Sequence, residues 1–146
     1  MKREIGLDAR PENLKVIRDF IEDACREAGV PASEAKDIKL AVDEACCNVV
    51  EHGYAGSPGT GPVGVAFEAD GKTIAVTVSD RGRSFDPSQA PGPDLGAGWR
   101  DRRIGGLGWH LIRQLVDDVR YESGAAGNRL TLIKRRPPVP EKTERG

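Results

Sequence analysis

The stretch Val63-Gly-Val-Ala-Phe-Glu-Ala-Asp70-Gly71-Lys-Thr-Ile74-Ala-Val-Thr-Val-Ser-Asp80 sets the architecture. Val63, Val65 and Phe67 alternate with smaller or polar residues, and Ile74, Val76 and Val78 continue the alternation. That two-residue period belongs to strands buried on one face. Asp70-Gly71 is a hairpin signal, because a tight turn needs the backbone freedom of glycine. Strand parity puts Asp80 on the same face as the apolar row Ile74, Val76 and Val78.

Toward the N-terminus, Ile5 to Leu7 reads as a short extended opening. Pro11 stands where a first helical residue would, and Leu14, Ile17, Phe20 and Ile21 recur at helical spacing up to a stop at Gly29. Ser33 is the expected N-cap of a second helix reaching about His52, with Ile38, Val42, Ala45 and Val49 as its apolar stripe. Gly53 to Pro62 is a loop rich in Gly, Pro and Ser. Toward the C-terminus, periodicity disappears from Arg81 to Gly108. Helical spacing returns with Leu107, Leu111, Leu115 and Val119, and 119–122 and 130–133 read as a closing strand pair. The expected fold class is α+β: a two-layer α/β sandwich, helices on one face of a mixed, mostly antiparallel sheet. One domain over residues 1–136 and a disordered tail over 137–146 complete the expectation.

Composition narrows the functions. The chain has 146 residues and a formal net charge of −1, enough for one core and no argument for nucleic acid or an anionic membrane. No apolar run approaches the ~20 residues of a bilayer span, and Met1-Lys2-Arg3 does not lead into a signal-peptide apolar region. Cys25, Cys46 and Cys47, odd in number and partly adjacent, suit neither disulfides nor zinc. A cytoplasmic location is expected.

Three stretches carry chemistry. Glu44 and Asn48, four residues apart, share a helix face beside the apolar stripe. An amide oxygen is a hard Mg²⁺ ligand and a carboxylate can accept a hydroxyl proton; alone, the spacing reads more simply as a solvated polar edge. Asp80 ends an apolar row and Gly82 permits close backbone approach to a ligand, unless the pair is an ordinary turn. Gly105-Gly106-Leu107-Gly108 opens a helix, where free N–H groups and the dipole favour phosphate, or it is a hinge. Trp99, Trp109, His52 and His110 read as structural. Arg100, Arg102 and Arg103 read first as a solvated charge run; the alternative is that their position just before the glycines lets them reach a terminal phosphate.

In this order, the three stretches resemble the N, G1 and G2 boxes of the GHKL ATPases, the superfamily of gyrase, MutL and histidine kinases. Leu40-Ala-Val-Asp-Glu-Ala-Cys-Cys-Asn-Val-Val-Glu-His-Gly-Tyr54, Asp80-Arg-Gly-Arg-Ser-Phe-Asp86 and Gly105-Gly-Leu-Gly-Trp-His-Leu-Ile-Arg-Gln-Leu-Val-Asp117 are similar in particular to the anti-sigma-factor serine kinases. The resemblance implies the Bergerat fold, ATP and Mg²⁺. It makes Glu44 the general base, Asn48 the Mg²⁺ ligand and Asp80 the partner of the adenine amine, with Gly82 shaping that end of the pocket. Gly105, Gly106, Leu107 and Gly108 would hold phosphates under a lid spanning 86–104, and Thr131 would lie near adenine. It implies a homodimer that phosphorylates an anti-anti-sigma (STAS-like) protein and sequesters a sigma factor. Asn128 departs from the pattern, since the family usually has Thr directly after the glycine that Gly127 matches. Two rival functions remain open: an ATP-dependent sequestering module with weak or no kinase activity, and the catalytic domain of a histidine kinase.

Overall fold

The computed structural model describes residues 1–84 and 107–136. Five strands form one sheet in the order β1-β2-β3-β5-β4: β1 (Lys2–Asp8), β2 (Pro62–Ala69), β3 (Thr73–Asp80), β4 (Asp118–Gly124) and β5 (Gly127–Arg135). Every pairing among the described residues is antiparallel, so the parallel component of the expected mixed sheet is not found there. Helices α1 (Leu14–Glu27), α2 (Ala32–Asn48) and α3 (Leu107–Leu115) complete the fold.

The period-two reading of β2 and β3 holds at each position: Val63, Val65, Phe67, Ile74, Val76 and Val78 are all buried. They meet Ile17 and Ile21 of α1, Ile38, Val42 and Ala45 of α2, and Trp109 and Ile112 of α3 in one core. Asp70 closes the hairpin by accepting hydrogen bonds from the Lys72 and Thr73 amides at 2.7 and 2.8 Å.

The helix ends refine the expectation. Pro11 opens a 3₁₀ turn, Pro11–Asn13, that runs into α1. Gly29 terminates α1 at φ +71°, with its N–H on the Arg26 carbonyl and the Val30 N–H on that of Cys25, the pair of bonds that defines a Schellman stop. Ser33 is not the N-cap of α2. Pro31, extended at ψ 152°, holds that place, and the Ser33 hydroxyl turns to Glu34 instead. On α3 the buried row is Trp109, Ile112 and then Val116, whereas Leu111 is exposed, so the expected Leu107–Leu111–Leu115 stripe is rotated by about one residue. The helix stops at Leu115, and Val119 belongs to β4.

Past Asn48 the α2 helix widens into a π turn, Val49–Gly53. Such a turn displaces the following side chains from the α-helical ladder and is frequent at functional sites. Here it delivers His52 and Gly53 toward the end of β3, where the Gly53 carbonyl accepts the Arg83 N–H at 2.6 Å. Tyr54 secures the same junction by donating to the Pro62 carbonyl at 2.5 Å and accepting from the Arg81 N–H at 2.9 Å.

Candidate active site

A cleft opens between the C-terminal half of α2, the ends of β3 and β5, and the first turn of α3. Ala45, Asn48, Val49, His52, Gly53, Val78, Asp80, Arg83, Ser84, Trp109, Tyr121 and Leu130 line it. Its empty volume, open mouth included, is about 820 Å³. The walls are mostly apolar, and the polar groups concentrate at two ends.

At one end stands Asp80. The fold places it between Val63 and Asn128 in the sheet register, at the end of the buried row, as strand parity predicts. Its Oδ1 accepts the Gly82 N–H at 2.8 Å and the Asn128 amide N–H at 2.9 Å. Gly82 is glycine for a different reason than the one the sequence suggests. A Cβ there would stand 2.1 Å from the Gly53 carbonyl oxygen, so the chain itself, rather than a ligand, demands the missing side chain.

Where Asn48 joins the wall of the cleft, Glu44 and Gly108 come together with it. A Cβ on Gly108 would stand 3.1 Å from Glu44 Oε2 and 3.7 Å from Asn48 Nδ2, so the first turn of α3 lies directly against both side chains. Any larger residue would press on the carboxylate. Burial raises the Glu44 pKa above its ordinary value, and the charges of Asp43 and Glu51 push it the same way. The adjacent Asp43 is occupied elsewhere, paired with Arg18 at 2.8 Å. Among the described residues Asn48 Nδ2 is buried with no hydrogen-bond partner, as is His52 Nε2, which lies 3.7 Å from Glu51 Oε1. Buried polar atoms are rarely left unpaired, because the desolvation penalty stays uncompensated.

Thr131 does not belong to the cleft. It alternates with Leu130 and Leu132, which face the core, so it lies on the opposite face of the sheet, with its hydroxyl 3.3 Å from that of Thr77. Gly105 and Gly106 lie outside the described residues, as do 85–104 with Arg100, Arg102 and Arg103, and the 137–146 tail. Leu107 begins α3. Sequence reasoning passed over His52, Trp109 and Tyr121 as parts of the cleft; Asn128, singled out there only as a departure from the family pattern, is 4% exposed and bonded to Asp80.

An apolar slot ending in a carboxylate, with a carboxylate–amide pair and a helix N-terminus at its far end, suits a purine nucleotide. The profile of the Histidine kinase-like ATPase domain family matches residues 7–134. The chain belongs to this family. It is 35% identical over 127 residues to the serine-protein kinase RsbW of Bacillus pumilus, an alignment covering 84% of this chain and 78% of that protein. It is 36% identical over 131 residues to the RsbW of Listeria monocytogenes, covering 86% and 83%. A crystal structure of the RsbU and RsbW domains of a Mycobacterium tuberculosis protein superposes with a TM-score of 0.67 at 28% identity. That match covers 94% of this chain and 34% of the larger one. The histidine kinase domain of a blue-light-activated kinase from Erythrobacter litoralis shares the fold, with a TM-score of 0.55 at 23% identity over 83% of this chain and 58% of that one.

Proposed function

We propose that this histidine kinase-like ATPase domain is a serine/threonine-protein kinase that uses Mg-ATP and acts as an anti-sigma factor. The observation that carries the reading is the contact of Gly108 with Glu44 and Asn48, since it joins the start of α3 to a carboxylate and an unpartnered amide in one place. The curated relatives, named serine-protein kinases and aligned over most of both chains, support the choice of protein kinase over other ATPase activities.

In this reading the adenine lies in the apolar part of the cleft, among Val78, Leu130, Tyr121, Ala45 and Val49, and its exocyclic amine donates to Asp80. The phosphates run toward Gly108, where the N–H groups and dipole of α3 favour negative charge, helped by Gly105, Gly106 and Leu107. The residues present fit Mg²⁺. Asn48 supplies a hard amide oxygen beside a carboxylate. No group of three His, Cys, Asp or Glu among the described residues forms a metal cage, which agrees with an ion held by one or two side chains and the nucleotide's own phosphates. Bound Mg²⁺ supplies charge neutralisation on the transferring phosphoryl group.

Glu44 accepts the proton of the substrate hydroxyl as that oxygen attacks the γ-phosphorus, while ADP leaves on the opposite side. The raised affinity of Glu44 for protons suits a base that must take one up during the step. The substrate is a serine or threonine of an anti-anti-sigma (STAS-like) protein. A sigma factor is the sequestered partner, the kinase acts as a homodimer, and the location is the cytoplasm. Among the described residues no helix is long and apolar enough to cross a membrane.

The test incubates the protein and Glu44→Gln with γ-labelled ATP and purified anti-anti-sigma candidates. Label on a serine or threonine with wild type, lost in the variant, is the expected outcome. ATP binding without transfer to any candidate would contradict the kinase reading in favour of an ATP-dependent sequestering module.

A further inference from the structure

The buried amide of Asn128 sits on the strand beside Asp80, on the same face, and both of its polar atoms are engaged. Its Nδ2 donates to Asp80 Oδ1 at 2.9 Å, to the Gly82 carbonyl at 2.9 Å and, at 3.3 Å, to the Arg83 carbonyl. Its Oδ1 accepts the Ser123 hydroxyl at 2.8 Å. Three acceptors around Nδ2 and a donor at Oδ1 fix the orientation of the amide, because a flipped group would set oxygen against oxygen. Two donors thus converge on Asp80 Oδ1, while no described residue donates to Oδ2.

We propose that Asn128 is a positioning residue that holds Asp80 by Oδ1 and so dedicates Oδ2 to the exocyclic amine of the base. The inference rests on the ATP reading of the cleft and goes beyond it, since it names what makes that carboxylate selective. A carboxylate free to rotate offers either oxygen to a range of donors; one clamped through Oδ1 offers a single acceptor in a fixed direction. The Asn128 hydrogens are directed to Asp80 and to two backbone carbonyls, so they present no donor to the cleft. The amide therefore adds no donor of its own beside Asp80, which fits a purine bearing a hydrogen-bond donor at that position. The same amide ties β5 to the turn at Gly82 and Arg83, and Ser123 extends the clamp into β4. The direction of the carboxylate is therefore set by three strands rather than by one side chain's rotamer preference.

The experiment measures the affinity of wild type, Asn128→Ala and Asn128→Thr for ATP and for purine riboside triphosphate, which lacks the exocyclic amine. Losing a charge-assisted hydrogen bond and the fixed geometry it imposes should weaken ATP by about 10- to 100-fold in Asn128→Ala. Purine riboside triphosphate should weaken far less, so the preference for ATP over it collapses. Asn128→Thr keeps one donor and should recover part of that preference, and it supplies the same ratio if the alanine variant does not fold. Equal weakening toward both nucleotides, leaving the ratio unchanged, would mean a merely structural amide and overturn the proposal, and so would variants that keep wild-type affinity and preference. Asp80→Asn separates the two levels: if it abolishes the ATP preference while the Asn128 variants do not, the cleft reading stands and the clamp falls. If wild type binds neither nucleotide, both fall together.

Discussion

The two ends of the cleft are built on opposite principles. Around Asp80 the hydrogen-bonding demand is met by the described residues for all but the free Oδ2: Gly82, Asn128, Ser123 and the Gly82 and Arg83 carbonyls close a network spanning three strands. Around Glu44 it is not. Asn48 Nδ2 is buried without a partner among the described residues, and Glu44 is held where ionisation is disfavoured by burial and by the like charges of Asp43 and Glu51. The first end is a finished template that fixes direction. The second is left incomplete, so that what binds there is stabilised by finishing it. Proteins tolerate such local cost where a ligand or a reaction redeems it.

The sharpest way to break this contrast is to remove the base. Glu44→Gln keeps the shape of the side chain, and phosphoryl transfer should fall by about 10²- to 10⁴-fold while ATP affinity stays close to wild type. Steady-state kinetics beside a binding titration would reveal it, and equal losses in both would move Glu44 from chemistry to binding. At the template end, Gly82→Ala should cost about 1–3 kcal/mol of stability through overpacking, because its Cβ overlaps the Gly53 carbonyl and the turn must shift. Thermal melts would show this without any nucleotide. An unchanged melting temperature would mean that the turn yields easily and is no fixed template.

The smallest effect concerns pH. Because Glu44 binds its proton more tightly in the folded chain, its ionised form disfavours folding at pH values above the folded pKa, and that cost vanishes below the ordinary value of 4.5. Glu44→Gln should therefore melt slightly higher than wild type near neutral pH, with the difference closing toward pH 4. Activity has the matching sign. The acid limb of kcat/KM should lie above the ordinary carboxylate range, since the base works only when ionised.

Much of the fold was legible, because the decisive signals are local. Alternation alone located β2 and β3, and parity placed Asp80 on the core face. The shared face of Glu44 and Asn48 followed from spacing of four, and the structure adds Gly108 against both. What escaped depends on partners distant in sequence. The steric reason for Gly82 is Gly53, and the partner of Asp80 is Asn128, 48 residues on, so neither is visible without the register. For Thr131 the resemblance and the alternation disagree, and the alternation with Leu130 and Leu132 is the one that holds, because strand parity fixes the face. The π turn after Asn48 leaves no mark in residue spacing, and it moves His52 from a helix end to the wall of the cleft.

The central claim is that the cleft binds a nucleotide with its base at Asp80 and its phosphates beside Glu44, Asn48 and Gly108. A calorimetric titration of Mg-ATP into wild type and Asp80→Asn tests it most directly. Saturable binding in the micromolar range, weakened about 10- to 100-fold in Asp80→Asn through loss of a charged acceptor, is the predicted result. No wild-type binding at millimolar ATP, or equal affinity in the variant, would contradict it.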